Sequence, residues 1–248
     1  MKSKTVQTNI NFWPTVRVIE LLTALTTGIA TWRAYGPWAA MRYLGGLALA
    51  MKVQRVFLAA MIRKTGSQQV SPADMMTLSR GSASAVLAGL VASGIRDRSG
   101  PAGRLSWSLI LVEASVVDWL DGPLARQFGR TRLGSVMDIE ADSWLTLWSA
   151  ISATAWGDLP RWCLLPPIIR YLDPILDLSR DRLPHGGGPW WSRLTGTAPM
   201  VLFLAALAPL KGNWRERVMR AVRIAALPVS AGQGAAVAAL LLRKLGEE

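Results

Sequence analysis

Four aspartates carry the chemistry that is readable in this chain. Asp118 and Asp121 stand three residues apart, and Asp138 and Asp142 stand four apart. On helices these spacings put the members of each pair on one face. The first pair closes one apolar stretch and the second opens the next, so a short loop between two helices can turn all four carboxylates toward one another. At a membrane boundary such a group is poorly solvated and self-repelling, and acids at that depth are functional candidates by default. Divalent cations relieve the repulsion. An all-oxygen donor set suits Mg²⁺ or Mn²⁺, and Mg²⁺ completes its shell with water and phosphate oxygens. The chemistry implied is that of a phosphate or diphosphate.

The rest of the composition says what must position these residues. Of 248 residues 51% are hydrophobic and 12 are tryptophan, yet 18% are charged and the net charge is +12. A membrane protein with wet, functional surfaces fits this mixture better than a soluble domain. The cations cluster between apolar runs, a placement that suits headgroups, phosphate-bearing substrates and topology signals and argues against a nucleic-acid partner. The single Cys163 excludes an internal disulfide and has no Cys or His neighbours suited to zinc. Met1 to Asn11 is polar, and Val16 to Ala34 carries Arg17, Glu20 and Arg33, so no cleavable leader is expected.

Six apolar segments follow from residue 71: Ser71–Ile95, Leu105–Leu120, Leu133–Trp156, Trp162–Leu178, Thr195–Leu210 and Ala221–Leu242. Two more, Thr15–Ala34 and Trp38–Ile62, precede them, either as a spanning pair or as helices lying in the interface. The expected fold is all-α: a polytopic membrane helical bundle of six core transmembrane helices (71–248) with two N-terminal membrane-associated helices (1–70). Ser71-Pro72-Ala73-Asp74 reads as a helix start with a capping Ser, Pro at the first position and an acid three residues on. Loops are expected at Gly94–Gly103, Arg180–Trp190 and Lys211–Arg217, each charged or glycine-rich.

The run Asp118-Trp119-Leu120-Asp121-Gly122-Pro123-Leu124-Ala125-Arg126, followed by Gly134-Ser135-Val136-Met137-Asp138-Ile139-Glu140-Ala141-Asp142, resembles the signature of the CDP-alcohol phosphotransferase family. All eight signature residues are present: Asp118, Asp121, Gly122, Ala125, Arg126, Gly134, Asp138 and Asp142. The spacer Gln127–Leu133 is one residue or so shorter than the family's. Upstream, Asp74, Thr77 and Arg80 stand where the family often has Asn, Thr and Arg. The resemblance implies a six-helix enzyme of a bacterial-type cytoplasmic membrane, its polar cavity open to the cytoplasm. It also implies transfer of a phosphoalcohol from a CDP-linked lipid such as CDP-diacylglycerol to a polar alcohol acceptor, with release of CMP, in phospholipid synthesis among membrane lipids. On that chemistry Asp118, Asp121 and Asp138 would hold Mg²⁺ (or Mn²⁺) with Asp142, and Asp142 would also take the acceptor's proton. Gly122, Ala125 and Gly134 would let a nucleotide or a neighbouring helix approach the backbone, Arg126 would contact phosphate, and Asp74, Thr77 and Arg80 would line the donor site. A homodimer is compatible with the resemblance. Arg170, Arg180, Arg182 and Arg193 lean the acceptor toward a phosphorylated polyol, although positive charge set by topology gives the same pattern.

Plainer readings stand beside these. Asp74 suits a capping box as well as a nucleotide contact. Glu113 and Glu140 lie outside the signature and suit packing or a salt bridge. Arg170 and Asp173 suit an internal pair or an acceptor site, and His185 a solvated loop. A membrane cation-binding or transport protein would also use the aspartates, but ion binding has no need of Gly122, Ala125 and Arg126 between them.

Overall fold

A computed structural model describes residues 10–66, 69–128, 131–180 and 190–246; the side chains of Asp118, Asp121, Gly122 and Ala125 are outside the described set. Among the described residues eight α-helices follow one another: α1 Phe12–Tyr35, α2 Pro37–Thr65, α3 Pro72–Ser93, α4 Arg96–Phe128, α5 Arg132–Ala155, α6 Leu165–Ser179, α7 Trp190–Leu207 and α8 Gly212–Gly246. A 3-10 turn, Arg161–Leu164, leads into α6. Each of the eight expected segments is helical.

Two expected loops are corrected. Only Gly94 and Ile95 separate α3 from α4: Gly94 adopts a left-handed conformation (φ 68°) that ends α3, and the chain re-enters a helix at Arg96. The charged stretch 96–103 is therefore the first turns of α4. Likewise α8 already begins at Gly212, so Lys211–Arg217 is mostly helix, and its Arg215 reaches a buried partner described below. Of the third loop, residues 181–189 lie outside the described residues, as does His185.

The central helix is α3, buried along almost its whole length. Small residues allow this, because close approach of backbones in an apolar medium needs side chains that leave room. A Cβ on Gly46 of α2 would stand 2.5 Å from that of Ala92, and one on Gly89 of α3 would stand 2.6 Å from Cε2 of Tyr43. The two glycines face each other's helix and bring α2 and α3 into contact. Tyr43 in turn donates to Thr27 of α1 at 2.7 Å, and Arg55 of α2 pairs with Glu20 of α1. A short antiparallel pair, β1 Ile10–Asn11 with β2 Gln69–Val70, ties the chain ahead of α1 to the approach to α3.

The outward faces are apolar as well. Leu21 and Trp32 of α1, Leu109 and Trp119 of α4, and Ile224 and Leu227 of α8 are all exposed. A bundle apolar both inside and out is built for lipid, where helices satisfy their own backbone groups. Among the described residues, three helices are long and apolar enough to cross a membrane: Pro37–Thr65, Pro72–Ser93 and Gly212–Leu242.

One end of the bundle is closed by a polar clasp. Asp158, just past α5, is nearly buried and accepts from Arg104 at the start of α4 and from Arg215 at the start of α8. Both arginines also donate to the carbonyl of Ala206 at the end of α7, at 3.2 and 2.7 Å. Arg104 lies over the Trp156 ring, 4.4 Å from its centroid. Removing the shared anion leaves two partly buried cations facing each other. Asp158→Ala is expected to destabilise the protein by about 3 kcal/mol, read as a lower thermal midpoint in detergent; an unchanged midpoint would mean that the clasp is solvated and contributes nothing.

Candidate active site

At the opposite end the starts of α3 and α5 meet. Ser71 caps α3, its hydroxyl accepting from the Asp74 amide at 3.2 Å, while the Asp74 carboxylate accepts from the Ser71 amide at 2.8 Å. This is the capping box read from the sequence. The same Oδ2 of Asp74 also accepts from the Thr131 hydroxyl at 2.8 Å, and Thr131 caps α5 by accepting from the Gly134 amide at 2.9 Å. One buried carboxylate thus joins two helix caps. Gly134 makes it possible: a Cβ there would stand 1.6 Å from Oδ1 of Asp74. The signature glycine is where α5 presses against α3.

Two turns along α3, Arg80 is 1% exposed. Its guanidinium pairs with Asp138 and, at 3.0 Å, with Asp142. The two carboxylates, one turn apart on α5, converge on a single guanidinium nitrogen. Their exposure differs, with the Asp138 side chain at 24% and that of Asp142 at 45%. Thr77 is buried between Asp74 and Arg80 in sequence, and spacing puts all three on one side of α3. The structure therefore brings Arg80 of the upstream triplet to the second aspartate pair, while Asp74 meets Thr131 and Gly134 at the start of α5.

On α4, Trp107, Leu111 and Ala114 form a buried stripe, and the same helix continues through Asp118 and Asp121. Their side chains, with Gly122 and Ala125, lie outside the described residues, and Arg126 is exposed on the last turn. Among the described residues no set of three acidic, His or Cys side chains gathers; Asp118 and Asp121 are not in that set. Glu140 points elsewhere, 1% exposed, with its Oε2 3.5 Å from Nε2 of Gln54 on α2. This agrees with a packing role. Glu113 is exposed, Arg170 lies beside Gly196 of α7, and an apolar groove of about 350 Å³ between α1 and α2 offers a diphosphate nothing to bind.

Residues 70–239 match the family model for CDP-alcohol phosphatidyltransferase. The chain belongs to the CDP-alcohol phosphatidyltransferase family. No curated protein and no solved structure matches it. Membership selects a membrane-bound transferase over a cation carrier, with a CDP-alcohol as donor and an alcohol as acceptor. The matched stretch runs from just before α3 into α8; α1 and α2 precede it.

Sequence reasoning missed Thr131 and Gln54. Thr131 carried a legible signal, a hydroxyl residue just before an apolar helix, whereas Gln54 is one polar residue in a long helix and is picked out only by what it meets. Because Gly134 borders a buried carboxylate that holds two caps, Gly134→Ala is expected to cost about 1–3 kcal/mol by overpacking and to lower transferase activity with it. A variant as stable as the parent in thermal unfolding would show that α5 shifts freely.

Proposed function

We propose that the protein transfers a phosphatidyl group from CDP-diacylglycerol to a polar acceptor alcohol in phospholipid synthesis, releasing CMP, at a site on the cytoplasmic side of a bacterial-type membrane. The observation that carries this reading is the convergence of Asp138 and Asp142 on Arg80 at the end of the bundle where α4 delivers the other signature pair. Carboxylates gathered around a cation, with oxygen donors only, suit a hard divalent ion. Asp118, Asp121, Asp138 and Asp142 would hold Mg²⁺ or Mn²⁺, which when bound neutralises charge on the diphosphate and on the departing CMP.

The remaining work falls to the chain. The acceptor oxygen bonds to the phosphorus of the phosphatidyl group as the phosphorus–oxygen bond to CMP breaks in line with it. The acceptor proton passes to a carboxylate oxygen of Asp142, whose greater exposure supports its facing the acceptor. Arg80 orients Asp138 and Asp142 toward one another and offsets their charge. Gly122 and Ala125 leave space for the nucleotide, and Arg126, exposed at the end of α4, reaches for phosphate. Asp74 supports the donor site by fixing where α3 and α5 begin, and Thr77 lines it from the same side of α3. Arg170, on α6 beside Gly196 of α7, supports a phosphorylated polyol as acceptor.

Two outcomes are expected. Excess EDTA abolishes CMP release, and full activity in chelator would sink the metal assignment. Asp142→Asn lowers turnover by roughly 10² to 10⁴ while CDP-alcohol binding stays within a few fold, whereas Asp121→Asn loses both. Equal loss of donor binding in the two variants would make Asp142 a ligand first and remove it as the base.

A further inference from the structure

Resting on the transferase reading, we propose that Gln54, on a helix that precedes the family-matched residues, is a positioning residue for the carboxylates of α5. Arg80 grips α5 through Asp138 and Asp142 on one side. This grip and the Asp74 contact with Gly134, four residues before Asp138, act on one face of α5. Glu140 lies about 200° around α5 from Asp138 at 3.6 residues per turn, so a contact to Glu140 acts on a different face and fixes the rotation. Gln54 makes that contact, its Nε2 3.5 Å from Oε2 of Glu140, with both residues buried at 7% and 1% exposure.

The slot for this amide is built into α3. A Cβ on Gly81 would stand 1.9 Å from Nε2 of Gln54, so the glycine leaves the space the amide occupies. Gly81 follows Arg80 directly, so the slot for the grip from α2 lies next to the residue that makes the grip from α3. The seat of Gln54 is held firmly, because α2 packs on α3 through Gly46 and Gly89 and Lys64 of α2 donates to the Leu178 carbonyl of α6. Replacing a buried polar pair by apolar side chains of similar volume is often neutral or stabilising, so cohesion of the bundle does not account for this pair. Glu140 keeps Oε1 without a hydrogen-bond partner, a cost that packing alone does not require. The signature leaves this position of α5 open, so the coupling is a property of this chain's own N-terminal helices.

The test uses the full chain in detergent, with Mg²⁺-dependent binding of CDP measured by calorimetry beside CMP release from CDP-diacylglycerol. Gln54→Leu removes the amide. Gly81→Ala pushes it aside without changing any polar residue and raises the helix propensity of α3. Each variant is expected to weaken Mg²⁺-dependent CDP binding by about 10-fold or more, the scale of outer supports of a metal site, with Gly81→Ala still folded and its thermal midpoint lowered by the displaced amide. The double variant Gln54→Glu with Glu140→Gln, which reverses the pair, is expected to recover binding to within a few fold. Parental CDP binding in Gly81→Ala would overturn the proposal, even if Gln54→Leu unfolded. CDP binding without CMP release by the parent would sink the transferase reading and leave the positioning role to be decided by the binding shifts. No Mg²⁺-dependent CDP binding by the parent would overturn both.

Discussion

The carboxylate of Asp74, pressed against the backbone of Gly134, decides how the two described helices of the site meet. It is fully buried and accepts from Ser71 and from Thr131, so it belongs to the caps of α3 and α5 at once. Helix starts have unpaired amides that must be satisfied somewhere. Here the groups that satisfy them are shared, and sharing converts two independent ends into one junction. With the helices joined there, the interval between Asp74 and Arg80 on α3 and that between Gly134 and Asp138 on α5 bring a guanidinium level with two carboxylates.

That junction also settles an electrostatic difficulty. Acids one turn apart at a membrane boundary repel one another and lose hydration. Arg80 meets both without being exposed itself, so its own burial is compensated by the charges it faces. The same logic appears at the far end, where Asp158 lies between Arg104 and Arg215. Between these polar ends the bundle is held by small residues and apolar packing, and its outer surface is left to lipid. Between the two ends α2 and α3 are allowed to touch through glycine.

The N-terminal helices are part of this arrangement. Pairing of Glu20 with Arg55, of Tyr43 with Thr27, and of Gln54 with Glu140 runs as a chain of polar contacts from α1 through α2 into α5. The matched family segment begins at residue 70, yet the α5 residue between its last two signature aspartates is touched from outside that segment.

Much was legible without coordinates, for physical reasons that are local. Apolar runs with charged ends read as helices because lipid admits little else, Ser71 to Asp74 read as a cap because that motif closes on itself within one turn, and the paired aspartates read as a site because their spacing matches the helix. The extra turns of α4 and α8 escaped notice: glycine and charge looked like loop, and only Gly94's left-handed turn and Arg215's reach to Asp158 show why the helices start early. The sequence by itself determined the helices, the family and the four signature aspartates. The tertiary structure alone decided that Gly134 makes room for Asp74, that Arg80 serves Asp138 and Asp142, and that Gln54 meets Glu140, because each joins residues far apart in the chain whose meeting depends on how whole helices pack.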